Sequence, residues 1–164
     1  MGSRGSVIPF FLDNFRRGVP LTITDNRMTR FMISLEEGID LVLKAFEKTE
    51  GGEIFVRKIP SMGILDIAEA IDPGGPRELV GIRPGEKLHE QMISPEDSLT
   101  TWEFSDHFRI LPAMQPVDEI PLVSEGGRRV SEGFTYMSES NSEWMSINEL
   151  RAWIEANHSL LGKV

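Results

Sequence analysis

The chain has 164 residues, 40% of them hydrophobic and 26% charged, which is enough for an ordinary globular domain with a core of its own. A formal net charge of −9 argues against a nucleic-acid partner, and the absence of cysteine excludes disulfides, thiolate nucleophiles and cysteine-ligated zinc. No apolar run approaches the ~20 residues needed to cross a bilayer and no export signal opens the chain, so the expectation is a cytoplasmic protein without a membrane partner.

From the start of the chain, Met1 to Ser6 is a glycine- and serine-rich segment that runs directly into a helical pattern. Ile8, Phe11, Leu12 and Phe15 fall on one helix face, with Pro9 near the start, Arg16 and Arg17 at the end and Gly18 as a stop. Such a glycine turn can place an anion at a helix N-terminus, or it can simply be a tight turn. Leu21–Thr24 reads as a short strand and Arg27–Ile33 as a turn and a second extended piece. Ser34 and Glu37 predict a capping box for a helix whose apolar stripe is Leu35, Ile39, Val42, Leu43 and Phe46. Gly51-Gly52 ends that helix, and Glu53–Val56 follows as a strand of the buried type.

Pro60-Ser61 predicts the start of another helix, with Ile64, Leu65, Ala68 and Ile71 inward. Glu78–Ile82 is the next strand, and Arg83-Pro84-Gly85-Glu86-Lys87 turns out of it. An extended pair follows at Thr101–Phe104 and His107–Leu111, and the turn-rich stretch 112–133 reads as flexible. A helix capped by Ser146 and Glu149, with Ile147, Leu150, Trp153 and Ile154 inward, closes the chain. Helices alternating with short strands indicate an α/β fold, with too few strong strands to close a large parallel sheet.

The residues that could carry chemistry are few. His89, His107 and His158 share no metal-ligand spacing and read as surface or partly satisfied histidines. No serine lies in a nucleophile elbow and no strand is followed by a dinucleotide fingerprint. The arginines say more. Arg83 precedes a proline, which biases it to extended backbone at a strand end, and Arg30 lies between Thr29 and Phe31. Two such forks could clamp a diphosphate, or pair with Asp25, Glu86 or another local carboxylate.

Four stretches, taken in order, decide the balance. They are Gly2-Ser3-Arg4-Gly5-Ser6-Val7-Ile8-Pro9-Phe10-Phe11; Ile23-Thr24-Asp25 with Met28-Thr29-Arg30-Phe31; Gly51–Val56 with Lys58–Met62; and Gly81–Glu90. With Tyr136, Ser138, Asn141 and Trp144, this set closely resembles the inverting UDP-N-acetylglucosamine 4,6-dehydratases of pseudaminic-acid and polysaccharide biosynthesis. These are members of the extended short-chain dehydrogenase/reductase superfamily.

The resemblance implies a sugar-nucleotide-binding region over 1–111, a flexible linker over 112–133 and a C-terminal segment with its closing helix over 134–164. It further implies that Val7 touches the sugar nucleotide, Thr24 and its strand face the uracil, and Arg83 holds the diphosphate. Arg30 would assist Arg83 or brace the site, and Asn141 would close over the ligand. Gly2, Ser3 and Arg4 would lie on the cofactor side. The partner implied is UDP-N-acetylglucosamine or a related UDP-sugar.

Family chemistry takes hydride from C4 of the sugar to NADP, removes the C5 proton, expels water from C6 and returns the hydride to C6 with inversion at C5. Yet the family's Tyr-x-x-x-Lys pair is absent. The single tyrosine is Tyr136, with Ser140 four positions on, and the family's catalytic Asp-Lys dipeptide is missing too. The resemblance therefore implies a C-terminal, substrate-binding piece of a lyase whose N-terminal Rossmann half lies outside this chain. The expectation is that the piece does not bind NADP or turn over by itself. A non-catalytic UDP-sugar-binding or regulatory module and one chain of a split enzyme remain the alternatives, and a homo-oligomer of the full-length enzyme stays open.

Overall fold

The structure, a computed structural model, describes residues 1–2, 5–113 and 119–157, the side chains of 119–121 excepted. The chain divides into two compact units drawn from non-contiguous stretches. The first is Met1–Ser34, Pro60–Glu90 and Ser138–Val164; the second is Leu35–Ile59 and Gln91–Met137.

In the first unit, helix α1 (Val7–Arg16) starts at Ser6, whose backbone is extended, and stops before Gly18, where φ is 65°. Ile8 and Phe11 are buried, while Phe15, expected on the same inner face, stays half exposed in the last turn of the helix. Strand β1 (Leu21–Ile23) pairs in parallel with β5 (Arg77–Leu79), and β2 (Thr29–Phe31) pairs antiparallel with β4 (Ser61–Gly63). Ser61, expected to open a helix, instead begins β4, because Arg30 and Phe31 offer it a ladder partner; the helix α3 starts at Ile64 and runs to Ile71. That later start sets its phase. Ile64, Ile67, Ala68 and Ile71 are buried at helical spacing, and Leu65, expected inside, is exposed. Helix α5 (Ile147–Ala156) has the expected capping box: Ser146 Oγ accepts from Glu149 N, and Glu149 accepts from Ser146 N. Its Leu150 joins the core of Ile8, Phe11, Leu21, Ile23, Met62 and Ile67.

The second unit is built on an antiparallel four-stranded sheet of order β3-β8-β7-β9, from β3 (Ile54–Arg57), β7 (Thr101–Glu103), β8 (His107–Ile110) and β9 (Arg128–Arg129). A second pair joins β6 (Gln91–Ile93) to β10 (Tyr136–Met137). The stretch read as a flexible linker holds helix α4 (Glu119–Ser124) as well as β9; Leu122 seats in a cluster with Trp102, Phe104 and Leu111, which gives that stretch an anchor.

One expectation changes in this unit: strand β3 is an edge strand, not a buried one, and Ile54 is exposed. Helix α2 (Leu35–Lys48) buries no residue, and its apolar stripe of Leu35, Ile39, Val42, Leu43 and Phe46 is exposed. His107 is the partly satisfied kind of histidine rather than a surface one. It is buried, stacked between the rings of Phe55 and Phe104 at 5.6 and 4.7 Å, with Nδ1 2.9 Å from Asp106. That burial, with Lys44 and Arg109 nearby, lowers its pKa against the opposing pull of Asp106.

Among the described residues no helix is long and apolar enough to cross a membrane.

Candidate functional site

A cavity of about 560 Å³ opens in the first unit, and its walls follow from strand and helix periodicity. Along β1 side chains alternate: Leu21 and Ile23 enter the core, while Thr22 and the following Thr24 line the cavity. The beginning of α1 supplies Gly5, Ser6 and Val7 to the same wall, so the positive end of a ten-residue helix dipole faces the space. Gly5 has φ +79°, a conformation that admits glycine at no cost and lets the chain turn into the helix there. Arg30 and Phe31 come from β2, and Arg83, Glu86 and Glu90 come from the segment after β5.

The two arginines are held differently. Arg30 spends its guanidinium on the protein: Nη1 donates to the carbonyls of Thr29 (2.7 Å) and Leu88 (2.9 Å), Nη2 to that of Lys87 (3.2 Å), and Nε lies 3.4 Å from Glu90. It thereby fixes the backbone at 87–88 against β2. Arg83 is the opposite case. Its side chain is 70% exposed, with one long ion pair to Glu86 at 3.9 Å. Long exposed pairs of this kind contribute little, so the guanidinium is available to an anion. Asp25 pairs with neither. Hydrogen bonds from the side chain and backbone of Arg27 hold its pKa at about 2.

Behind the Arg30 wall lies a small polar network. Thr29 Oγ1 meets His89 Nδ1 at 2.8 Å and Ser138 Oγ at 2.7 Å, and His89 Nε2 lies 3.0 Å from Glu139. Glu90 N donates to Ser138 Oγ at 2.8 Å, and Ser138 N donates back to Glu90 O at 2.9 Å. These bonds tie β2, the 88–90 segment and the start of the C-terminal stretch into one support.

Val7, Thr24, Arg30 and Arg83, drawn from three separate parts of the sequence, are thus brought together. Asn141 is not among the lining residues. Its amide donates to Ser61 Oγ (3.0 Å) and Glu143 O (2.9 Å), and Trp144 Nε1 donates to its carbonyl, which pins the turn before α5. Gly2 is described, with φ 80°, and does not line the cavity; Ser3 and Arg4 lie outside the described residues, as does His158. Thr22, in the strand read as facing the uracil, and Glu86, read as a possible partner of an arginine, line the cavity too. Phe31 and Glu90 lie in the recognised stretches, without a role of their own there.

Among the described residues no group of three metal-ligating side chains exists. Strand β4 enters α3 through Gly63 at φ −71°, without a glycine-rich turn.

Comparison with known proteins places this arrangement. Residues 1–112 match the family model described as polysaccharide biosynthesis protein. The UDP-N-acetylglucosamine 4,6-dehydratase (inverting) of Campylobacter jejuni serotype O:23/36 is 49% identical over 92% of this chain and 47% of its own length. The UDP-glucose 4-epimerase of Rickettsia massiliae is 36% identical over 92% of this chain and 45% of its own. Among solved structures, the X-ray structure of Pen from Bacillus thuringiensis superposes with a TM-score of 0.79 at 33% identity, covering 98% of this chain and 48% of that one. The chain thus spans about half the length of the relatives it matches. Its α/β fold is that of part of an extended short-chain dehydrogenase/reductase, as the sequence predicts. With the family match running through most of its residues, this chain belongs to the polysaccharide biosynthesis protein family.

Proposed function

We propose that the chain is the sugar-nucleotide-binding half of an NADP-dependent, 5-inverting UDP-N-acetylglucosamine 4,6-dehydratase. In this reading the first-unit cavity takes the UDP-sugar. The observation that carries it is the meeting of an available arginine, a helix N-terminus and a threonine-bearing strand around one cavity.

Each group has a role that its geometry supports. Arg83 reaches the diphosphate with a charge no close carboxylate occupies, and the first-turn N–H groups of α1 add a second anionic subsite. Thr22 and Thr24 face the uracil, and Val7 packs on the sugar. Arg30, its donors already used, braces the wall. Asn141 has a structural part, holding the turn before α5 to Ser61.

Groups that bind but do not react lower no barrier, so this chain positions a substrate without transforming it. When bound in the whole enzyme, NADP supplies the hydride exchange; the residues described here bind and orient.

Titration with UDP, followed by calorimetry and amide NMR, tests the reading. Binding with Kd below about 1 mM is expected, with shifts at Thr24, Val7 and Arg83. Shifts confined to the second unit, or binding unchanged in Arg83→Ala, would refute it.

A further inference from the structure

Both ring nitrogens of His89 are engaged, and their partners fix which one carries the proton. Nε2 lies 3.0 Å from the carboxylate of Glu139, which when ionised can only accept, so Nε2 holds the hydrogen. Nδ1 is then bare, and the Thr29 hydroxyl at 2.8 Å donates to it. With its hydrogen so committed, Thr29 Oγ1 accepts from Ser138 Oγ at 2.7 Å, and Ser138 Oγ accepts from Glu90 N at 2.8 Å. Four hydrogen bonds therefore run in one direction from Glu90 N to Glu139, and their two hydroxyls belong to buried residues. Moving the ring proton to Nδ1 would set two acceptors against each other at Nε2. The other consistent polarity needs both nitrogens protonated, with Thr29 donating to Ser138 and Ser138 to the Thr29 carbonyl at 3.3 Å.

We propose that His89 is a positioning residue for the cavity wall, and that its bare Nδ1 is the acceptor on which the chain of hydrogen bonds ends. His89 does not line the cavity, so it acts through its neighbours. Thr29 precedes Arg30 and His89 precedes Glu90, and both Arg30 and Glu90 are lining residues. The backbone on the other side of His89 is tied to β2 as well: Thr29 N donates to Leu88 O at 3.1 Å, and Arg30 donates to the carbonyls of Leu88 and Lys87. The turn bearing Arg83 closes just before this segment, where Glu86 N donates to Arg83 O at 3.0 Å. Arg83, 70% exposed at the far end of that turn, takes its place from where residues 87–90 are held. This inference deepens the reading of the cavity as a UDP-sugar site and rests on it.

Long-range nitrogen-15 NMR of the unliganded chain reads the tautomer directly at about pH 8, where an imidazole is ordinarily neutral. A protonated Nε2 with a bare Nδ1 is expected. The opposite tautomer, or an even mixture of the two, overturns the proposal whatever any variant does.

Two substitutions separate the ring nitrogens. Asparagine can set its carbonyl oxygen near the place of Nδ1 and accept from Thr29, while glutamine extends its amide toward Glu139 and leaves Thr29 without that acceptor. His89→Asn should hold the Kd for UDP within about threefold of the parent, and His89→Gln should raise it at least about tenfold. His89→Gln should also shift the Glu90 and Arg83 amides before any UDP is added. Equal losses in the two variants, or parental binding by His89→Gln, overturn the role of Nδ1. A parent chain that shows the expected tautomer and the expected unliganded shifts in His89→Gln, yet binds no UDP, refutes the UDP-sugar reading and leaves His89 as the residue that holds the wall.

Discussion

Thr29 and Ser138, 109 residues apart in the chain, bring their hydroxyl oxygens to 2.7 Å in the interior of the first unit. The contact is more than a single bond, because Ser138 Oγ also accepts from Glu90 N and lies 3.3 Å from the Thr29 carbonyl. One serine therefore joins β2, which carries Arg30, to the segment that carries Glu90.

Replacing it should cost stability accordingly. Ser138→Ala leaves a half-buried N–H at Glu90 and a buried hydroxyl at Thr29 each short of a partner, a loss of about 1–3 kcal/mol. Urea unfolding at neutral pH should show a lower midpoint with an unchanged slope, whereas Ser138→Thr, which keeps the hydroxyl, should retain part of the loss.

The two cavity arginines should separate by assay. Arg83→Ala is expected to weaken UDP binding at least tenfold, about 1.4 kcal/mol, while leaving the melting temperature unchanged, since its side chain is exposed. Arg30→Ala should lower both, because three carbonyls lose their donor. Equal thermal losses in the two variants would remove the distinction.

Acid should act through Glu53. Burial pulls its pKa up, but hydrogen bonds from Thr49 Oγ1 (2.5 Å), Glu50 N (2.9 Å) and Gly51 N (2.8 Å) outweigh that and bring it to about 2, against an ordinary 4.5. A depressed carboxylate contributes stability above its unfolded pKa and loses it as pH falls through the folded one, so the window runs from about 4.5 down to about 2. Glu53→Gln should therefore destabilise at pH 7, on the order of 1 kcal/mol once solvent screening is allowed for, and match the parent near pH 2. Denaturant titrations at several pH values would show whether the two curves converge.

Gly127 has no room for a side chain. A Cβ there would lie 2.8 Å from the Leu122 carbonyl oxygen and 2.8 Å from the Phe104 ring. Gly127→Ala should destabilise the second unit by about 1–3 kcal/mol, seen as a lower melting temperature. Gly126→Ala would not separate packing from backbone, since its φ is +84°.

Local signals in the sequence read well because their physics is local. The cap at Ser146 and Glu149, the helix of Ile8 and Phe11, and the alternation around Thr24 each depend on neighbours within a few residues. The candidate site was half legible for the same reason: Val7, Thr24, Arg30, Arg83, Glu86 and Glu90 all stood in recognisable stretches, but that they line one cavity depends on contacts far apart in sequence. The resemblance implies a ligand role for Asn141; its side chain donates to Ser61 Oγ at 3.0 Å, a contact no local pattern foretold.

What the sequence determined by itself was the helical periodicity of Ile8 and Phe11 in α1 and the Ser146–Glu149 cap of α5, both consequences of interactions closed within a turn or two. What only the tertiary structure decided was direction: which side of α2 meets the sheet, and that Ser61 extends a ladder instead of starting a helix. An amphipathic pattern states that a helix has an apolar face, but burial of that face needs a surface from elsewhere. In α2 the described residues leave that face exposed, while Leu41, Lys44 and Ala45 are half-buried on the other side and Lys44 pairs with Asp106.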